Sequence, residues 1–527
     1  MSEKSISELV QASVNGEFEI PEFQREFVWK PMQVGDLADS LSSGFPVGCI
    51  VVWKSKTTEG KEQIYVVDGQ QRITALCIIF GVRPKWKEST EWQIIDATYS
   101  PLLSVSYEGE ISFGRKRGES ITLSLKDIYA KNTQDEINTL VSEALDSCKT
   151  PIHAKVRTVL YEKTMAIWKT KLSFKLPIII IDLQDPMEVA LIYKRLNELG
   201  TKIREPDTQL AFIAVKNPGW VKSVFRGFID GLEKTSNGRW AFTPDLLLRC
   251  MTILYSSTPR VGNIKNPEEF WRSGCKESFE LLRKAIEDVI PRLERYGIQG
   301  IDEIPSNYAL IALFSFHAHY SSEKDYDFGA LFKWFLAANI TSRYTGAPLQ
   351  VLTEDSSSIM KSDNPGNALK ALEIPKNEII KALNEELAGS FKRKSPVALI
   401  LKTLLWENGL DWRRGGKLST YPPLEWHHIF PKKALKNMGI EDDIINHIAN
   451  MTLLSEDANK EFRDKAPWIY APQAIIDSAR LDSHFIPTTF STSFIQGKPI
   501  INKSGLSKFL TERLKIIEKE IKQLFNI

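Results

Sequence analysis

Two of the seven histidines in this 527-residue sequence are adjacent, at His427 and His428. The pair leads directly into Ile429-Phe430-Pro431, and asparagines follow at Asn450 and Asn459. Hydrolysis of a phosphodiester needs a base that activates water, a hard cation that stabilises charge, and ligands that leave this cation partly open. A strand that ends in His-His, a turn, and a helix that carries asparagine supply all three. The pattern predicts phosphodiester hydrolysis, with a different task for each histidine.

Two plainer interpretations compete with this one. In the first, the histidines are packed or surface residues of an α+β domain and have no catalytic role. Adjacent strand residues also point to opposite faces of a sheet, unless a twist or bulge redirects them. A structural zinc site is disfavoured, because no cysteine follows Cys275.

The segment Glu425-Trp426-His427-His428-Ile429-Phe430-Pro431, with its two spaced asparagines, resembles the HNH, or His-Me finger, nucleases. The resemblance implies that His428 is the general base and that His427 and Asn459 bind a divalent metal, Mg²⁺ or Mn²⁺. Asn450 is also predicted as a catalytic-site residue. It takes the family's middle position, where an asparagine ties the loop together and orients the base through backbone hydrogen bonds. Histidine at 427 is less usual than aspartate there and favours a softer ion than Mg²⁺. Three cations are expected to contact DNA phosphates: Lys460, Arg463 and Lys465.

A second polar motif follows the strand-like run that ends at Val67. It reads Asp68, Gly69, Gln70, Gln71, Arg72 and opens a helical pattern. A helix N-terminus with an arginine in its first turn suits an anion, and a triphosphate is the obvious candidate. Neither a Walker A motif nor a dinucleotide-binding motif is present, which disfavours a P-loop NTPase. A solvated cap or a salt-bridge site is the alternative.

This motif resembles the ParB/sulfiredoxin-like domain of the GmrSD family of modification-dependent, type IV restriction proteins. The resemblance extends to Gln24 and Arg25, to the turn at 44–48 and to the segment 195–202, and covers about the first 215 residues. It implies binding, and possible hydrolysis, of GTP or ATP by a defined set of residues. These are Gln24, Arg25, Asp68, Gly69, Gln70, Gln71 and Arg72.

Apolar patterns place both motifs on regular elements. Strand-like runs alternate with turns from residue 20 to 76, and the β-branched run at 176–183 predicts a strand, buried on both faces, that completes the first sheet. Helical periodicity then continues to about residue 384, and an amphipathic helix from Leu506 to Leu524 closes the carboxy-terminal part.

The predicted fold class is α+β multidomain. Residues 1–215 form a ParB/sulfiredoxin-like α/β domain that binds nucleotide, residues 216–385 a mainly helical connector, and residues 386–527 a ββα-metal (HNH) nuclease domain with flanking helices. A net charge of +2 excludes a polycation, so nucleic acid must be bound by local patches. Five widely spaced cysteines and short apolar runs predict a cytoplasmic protein with no membrane contact.

Together, the two resemblances imply a nucleotide-regulated endonuclease that cleaves modified foreign double-stranded DNA, such as phage DNA. One alternative is an NTPase-coupled nickase or toxin that does not sense modification. Another is a non-catalytic ParB-like DNA-binding regulator. The modification, the nucleotide, the metal and the oligomeric state stay open, with a homodimer as one option.

Overall fold

Short β-branched runs separated by glycine-containing turns form the strands of the amino-terminal region, as their residue types favour. The computed structural model of the protein describes residues 2–22, 24, 26–56, 62–114, 119–148, 152–183, 185–198, 205–499 and 502–527. The chain divides into two units, Met1–Val221 and Lys222–Ile527.

The elements of the first unit are as follows. Its strands are β1 (Ser2–Ser5), β2 (Phe18–Glu19), β3 (Ile50–Lys56), β4 (Glu62–Asp68), β5 (Leu102–Ser106), β6 (Ile111–Gly114), β7 (Ser120–Ser124) and β8 (Lys175–Ile181). Its helices are α1 (Ile6–Asn15), α2 (Pro31–Ser42), α3 (Gln70–Phe80), α4 (Ser89–Thr98), α5 (Leu125–Ala130), α6 (Gln134–Asp146), α7 (Ala154–Ser173), α8 (Pro186–Glu198) and α9 (Glu205–Lys216).

The main sheet of this unit has the strand order β1-β8-β3-β4-β2. Strand β8 pairs antiparallel with β1 and parallel with β3, so the prediction that it completes the sheet is confirmed. The prediction that both of its faces are buried is wrong, because Leu176 and Ile178 on one face are buried whereas Lys175 and Pro177 on the other are exposed. Isoleucine favours strands whether or not the second face is covered, so a run of it does not report burial.

The predicted order of strand, Asp-Gly turn and helix is confirmed where β4 meets α3. Gly69 adopts a φ of 99°, and an added Cβ would lie 2.5 Å from Ile50 Cδ1. Only glycine meets both conditions without strain, which explains its place between Asp68 and Gln70.

The second unit is mainly helical up to its carboxy-terminal third. Its first helices are α10 (Gly227–Thr235), α11 (Pro244–Ser256), α12 (Pro267–Glu269), α13 (Cys275–Arg295), α14 (Asn307–Tyr320), α15 (Phe328–Ile340), α16 (Pro348–Lys361), α17 (Pro365–Ala371), α18 (Lys376–Ala388) and α19 (Pro396–Asn408). Then follow β9 (Leu424–His428), α20 (Lys432–Asn437), α21 (Asp442–Ile445), β10 (Met451–Ser455), α22 (Glu456–Phe462), α23 (Pro467–Gln473), α24 (Ser478–Asp482), α25 (Thr488–Ile495) and α26 (Lys503–Phe525). The predicted connector and nuclease domain thus lie in one unit, and their division at residue 385 stays a prediction.

Strands β9 and β10 form an antiparallel hairpin in which His427 lies opposite Thr452 and His428 opposite Met451. Helix α22 begins directly after β10, because the Ser455 hydroxyl caps it by accepting from the Ala458 N–H at 3.3 Å. A hydrophobic cluster that includes Phe462, Tyr470, Phe494 and Phe509 packs this region.

No helix in the described ranges is both long and apolar enough to cross a membrane.

Candidate functional site

His427, Asn459 and Glu425 meet where the hairpin faces α22. Asn459 Nδ2 donates to Glu425 Oε2 at 2.5 Å, which turns Asn459 Oδ1 toward His427 Nδ1 at 2.8 Å. Glu425 and His427 are two positions apart on β9 and therefore share one face. The structure thus brings together the two residues predicted as metal ligands, and adds a carboxylate that orients one of them.

The ring of His427 is buried among aromatic side chains. Trp412, Phe462 and Tyr470 surround it with ring centroids 6.0–6.5 Å away, and its Nε2 has no hydrogen-bond partner in the described structure. Burial lowers the pKa of His427 to about 4, against a smaller opposing effect of the hydrogen bond to Asn459. His427 is therefore neutral at physiological pH, which is the form that binds metals.

His428 is held from one side only. Its Nε2 lies 3.0 Å from Asn446 Oδ1, while Asn446 Nδ2 donates to the Asp442 carbonyl at 2.7 Å. The amide is therefore oriented with its oxygen toward the ring, so Nε2 carries the proton and Nδ1 keeps a lone pair. Nδ1 makes no hydrogen bond to a described residue, and burial lowers the pKa of His428 below its usual value.

Asn450 is fully buried between the strands and serves the backbone. Its Oδ1 accepts from the Phe430 N–H at 2.9 Å, and its Nδ2 donates to the carbonyls of Phe430 and Ile445 at 3.1 and 2.9 Å. These bonds tie the segment after His428 to the end of α21. The side chain that contacts the His428 ring is Asn446, not Asn450.

Arg513 of α26 holds the backbone on both sides of Asn450. It is fully buried and donates to the carbonyls of Ala449 and Met451 at 2.7 and 2.8 Å, and to that of His484. Burial lowers the pKa of its guanidinium to about 9. In the sequence, the role of Arg513 is indicated only by its position. It lies four residues after Phe509 and four before Ile517, so a charged side chain stands within the apolar stripe of α26.

The predicted DNA-contacting cations lie on or just after α22, and all three are exposed. Lys460 pairs with Glu456, and the hydrogen bond between them raises the pKa of Lys460. Arg463 ends the helix with a φ of 32°, which is strained for a residue with a Cβ. Lys465 follows in the loop.

A metal site built from three acidic, histidine or cysteine side chains is not found among the described residues. The candidate site instead offers His427 Nδ1 and the amide oxygen of Asn459. Their separation of 2.8 Å is close to the roughly 3 Å expected for neighbouring ligands of an octahedral ion with bonds of about 2.1 Å. Because Asn459 Oδ1 accepts from the His427 Nδ1–H in this arrangement, the pair fits a divalent cation in the tautomer of His427 that has its proton on Nε2.

In the Asp68–Arg72 motif of the first unit, the side chains of Arg72 and Gln71 form hydrogen bonds with other groups of the protein. Arg72 bonds Asp68 Oδ2 at 2.5 Å and the Val47 carbonyl at 3.1 Å. Gln71 accepts from the Val28 N–H at 2.9 Å and donates to the Glu26 carbonyl at 3.1 Å. These side chains close the first turn of α3 onto two neighbouring segments.

Two glutamines line the same turn from inside. Gln24 Nε2 donates to the carbonyls of Val66 and Val67 at 2.5 and 2.8 Å. Gln70 is buried, and its Oε1 has no hydrogen-bond partner in the described part of the chain. Arg25 and residues 199–202 of the segment 195–202 lie outside the described residues, so their predicted roles stay predictions.

Comparison with known families bears on the first unit. Residues 6–214 match the model of the GmrSD restriction endonuclease N-terminal domain. The predicted resemblance is therefore confirmed for this part of the chain, and it indicates an enzyme with a restriction endonuclease-like function that acts on DNA. The match covers less than half of the chain, so the HNH resemblance of the remainder stays a prediction.

A relative aligned over both units is an uncharacterized protein of Methanocaldococcus jannaschii. It is 22% identical over 528 residues, which cover 90% of this chain and 87% of that protein.

Proposed function

We propose that the protein is a metal-dependent HNH endonuclease that cleaves modified foreign double-stranded DNA under the control of a nucleotide. The observation that carries the proposal is the open Nδ1 of His428 on the strand that also brings His427 to Asn459. Phosphodiester hydrolysis needs a base and a cation side by side, and the β9-β10-α22 segment supplies residues for both.

His428 is the general base. Its Nδ1 takes a proton from the attacking water while its Nε2–H stays bonded to Asn446 Oδ1, which also stabilises the imidazolium that forms. The lowered pKa of His428 keeps the ring unprotonated near neutral pH, so the base is ready before substrate binds.

His427 and Asn459 would hold the divalent metal, Mg²⁺ or Mn²⁺, and Glu425 would orient the asparagine. When bound, the metal supplies positive charge that stabilises the phosphate and the departing oxygen. Asn450 and Arg513 keep the loop and both strand ends in register around these ligands.

The first unit would bind GTP or ATP at the start of α3 and regulate cleavage. Its similarity to the GmrSD N-terminal domain supports this part of the proposal. A nuclease of low sequence specificity is harmful inside a cell unless a sensor restrains it, so regulation by ligand binding is a reasonable role. Lys460, Arg463 and Lys465 would contact phosphates of the DNA.

Cleavage of one plasmid sequence, prepared unmodified and with defined cytosine or backbone modifications, tests the proposal. Each DNA is incubated with Mg²⁺ or Mn²⁺, with and without GTP or ATP. The wild-type chain is compared with His428→Ala and with His153→Ala, which removes an exposed histidine of the first unit. We expect cleavage of modified DNA by the wild type and His153→Ala only.

Each alternative has a distinct result. Equal cleavage of all plasmids would support a nickase or toxin without modification sensing. Tight DNA binding with no cleavage under any condition would support a non-catalytic regulator.

A further inference from the structure

A cleft of about 1120 Å³ lies in the second unit, outside the residues assigned above. Residues of α13, α19 and the segment 417–423 line it, together with the first residue of β9. Its volume exceeds the roughly 300–1,000 Å³ typical of small-molecule pockets. The cleft is therefore large enough for a segment of a polymer.

Aromatic rings and cations line this cleft. Tyr296 supplies a half-buried ring, one face of which stacks on Phe332, and Trp406 supplies a ring that is only 8% exposed. Arg239 and Lys402 already face Glu294 and Glu303, at 3.6 and 2.6 Å. Two further lining cations, Arg295 and Lys417, are exposed and make no ion pair with any residue that the structure describes. Aromatic rings beside uncommitted cations are the features by which proteins hold nucleic-acid strands.

The cleft is continuous with the candidate catalytic hairpin. Leu424 lines it and begins β9, and His428 ends the same strand four residues later. At about 3.3 Å per strand residue this is about 13 Å. A DNA strand that rises 3.4 Å per nucleotide covers that distance in about four nucleotides.

A basic loop, defined as residues 411–417, links the cleft to α22. Asp411 is fully buried, and its Oδ1 accepts from the N–H groups of Arg413 and Arg414 at 3.1 and 2.8 Å. Its Oδ2 accepts from the Ser455 N–H at 3.0 Å, at the cap of the helix that carries Asn459. One buried carboxylate therefore fixes the basic loop against the candidate site.

The cations of the basic loop are accessible to phosphates. Arg413 and Arg414 pair with Asp457 and Glu461 on α22, but all four side chains are more than 40% exposed. Such exposed pairs exchange readily for another anion. Lys417, at the end of the loop, reaches the cleft.

We propose that the basic loop and the cleft hold the DNA strand that flanks the scissile phosphate, an inference that rests on the proposed nuclease function. Arg413, Arg414, Lys417 and Arg295 bind phosphates of this strand, and a base four or more nucleotides from the cleaved bond lies against Tyr296.

Binding of fluorescein-labelled duplex DNA to the full-length chain tests this proposal. His428→Ala is the parent, so that DNA stays intact, and Arg295→Glu with Lys417→Glu is added to it. The matched control adds Lys276→Glu with Lys284→Glu, two exposed lysines of α13 that do not line the cleft. We expect the cleft pair to weaken binding about tenfold and to lower the salt dependence by about two phosphate contacts, and the control pair to change neither.

The outcomes separate the two proposals. A parent chain that binds no DNA, unmodified or modified and with or without GTP or ATP, would overturn the nuclease function and the cleft together. Binding by the parent, with equal behaviour of both double variants, would overturn the cleft alone. Displacement of DNA by free ATP or GTP from the parent, but not from the cleft variant, would assign the cleft to a nucleotide and overturn the inference as well.

Photocrosslinking gives an independent test that needs no substitution in the cleft. 5-Bromodeoxyuridine is placed at successive positions from the cleavage site, and the crosslinked peptides are identified by mass spectrometry. We expect a crosslink to the peptide of Tyr296 at four or more nucleotides from the cleaved bond. Crosslinks confined to peptides outside residues 290–424 would contradict the assignment.

Discussion

Arg72 follows β4 and His428 ends β9, yet the two regions use their polar atoms in opposite ways. Arg72 and Gln71 bond four partners within the first unit, and Gln70 Oε1 is the exception. His428 is bonded at Nε2 only and keeps Nδ1 open. Polar groups that are satisfied within the protein hold the fold, whereas a ring nitrogen without a protein partner is free to accept a proton from water. The comparison favours the hairpin for the proposed hydrolysis and gives the Arg72 turn a structural task besides its proposed role in nucleotide binding.

The largest effect is expected from His428→Ala. Loss of a general base lowers the rate of DNA cleavage by about 10²- to 10⁴-fold, and no change of metal restores it. Single-turnover cleavage with Mg²⁺ and Mn²⁺, together with thermal unfolding as a control for the fold, measures this. Wild-type rates in the folded variant would remove His428 from the mechanism.

Changes at the metal ligands rank next. His427→Ala and Asn459→Ala should reduce metal affinity by at least the roughly 10- to 100-fold lost when a partner that orients a ligand is removed, and high metal concentration should restore part of the activity. Titration of Mn²⁺ binding by calorimetry gives a readout apart from cleavage. The roles are wrongly assigned if His428→Ala is rescued by metal to the same degree.

Asn446→Ala should lower the rate of DNA cleavage about tenfold, because the ring of His428 loses the acceptor that keeps its proton on Nε2. Asn446→Asp keeps an acceptor oxygen and should retain more activity. Nitrogen NMR of the His428 ring reports the tautomer directly. An unchanged ring signal in the alanine variant would show that Asn446 does not set it.

The Arg72 turn can be tested by pairing two variants. Arg72→Glu and Gly48→Ala should both destabilise the first unit by about 1–3 kcal/mol, since each disturbs the bond to Val47. Gly48 has a φ of 86°, and an added Cβ would lie 2.3 Å from Arg72 Nη1. Nucleotide binding is then measured well below the melting temperature. Loss of binding in Arg72→Glu alone would show direct contact with nucleotide, and equal loss in both variants would show a structural role.

Lowering the pH should destabilise the second unit before the first, and the loss of stability near neutral pH should be modest. Burial lowers the pKa of His484 to about 3 and that of His427 to about 4, whereas His153, in the first unit, is exposed. At pH values between the unfolded pKa of about 6.5 and these folded values, the unfolded chain binds more protons than the folded chain. The free energy of unfolding therefore decreases as the pH is lowered, by at most about 1.4 kcal/mol per pH unit for each histidine. Hydrogen exchange at pH 7 and pH 6 should show protection lost first in the hairpin. Earlier loss in the first unit would contradict this.

Local structure could be predicted wherever the signal lies within a few consecutive residues. The Asp68-Gly69 turn and the helix after it follow from backbone geometry, and so does the step from β10 through the Ser455 cap into α22. The pairing of His427 with Asn459 was implied by the resemblance to the HNH nucleases, and the structure brings the two side chains together.

Side chains brought in from distant segments could not be predicted. Trp412, Asn446 and Arg513 reach the hairpin through tertiary packing, and no local period marks the first two. The prediction that both faces of β8 are buried was wrong for a related reason. Burial of the second face depends on which segments cover it and not on the residues of the strand itself.

The dependence of the hairpin on Arg513 has a consequence for synthesis. The bond from Arg513 to the Met451 carbonyl spans 62 residues. At roughly 5–20 residues per second, α26 is made about 3–12 seconds after β10. We expect the hairpin to lack its final support during that interval, so that a nascent chain is harmless to the DNA around it until α26 has left the ribosome. Cleavage by a chain truncated before Lys503 would disprove this.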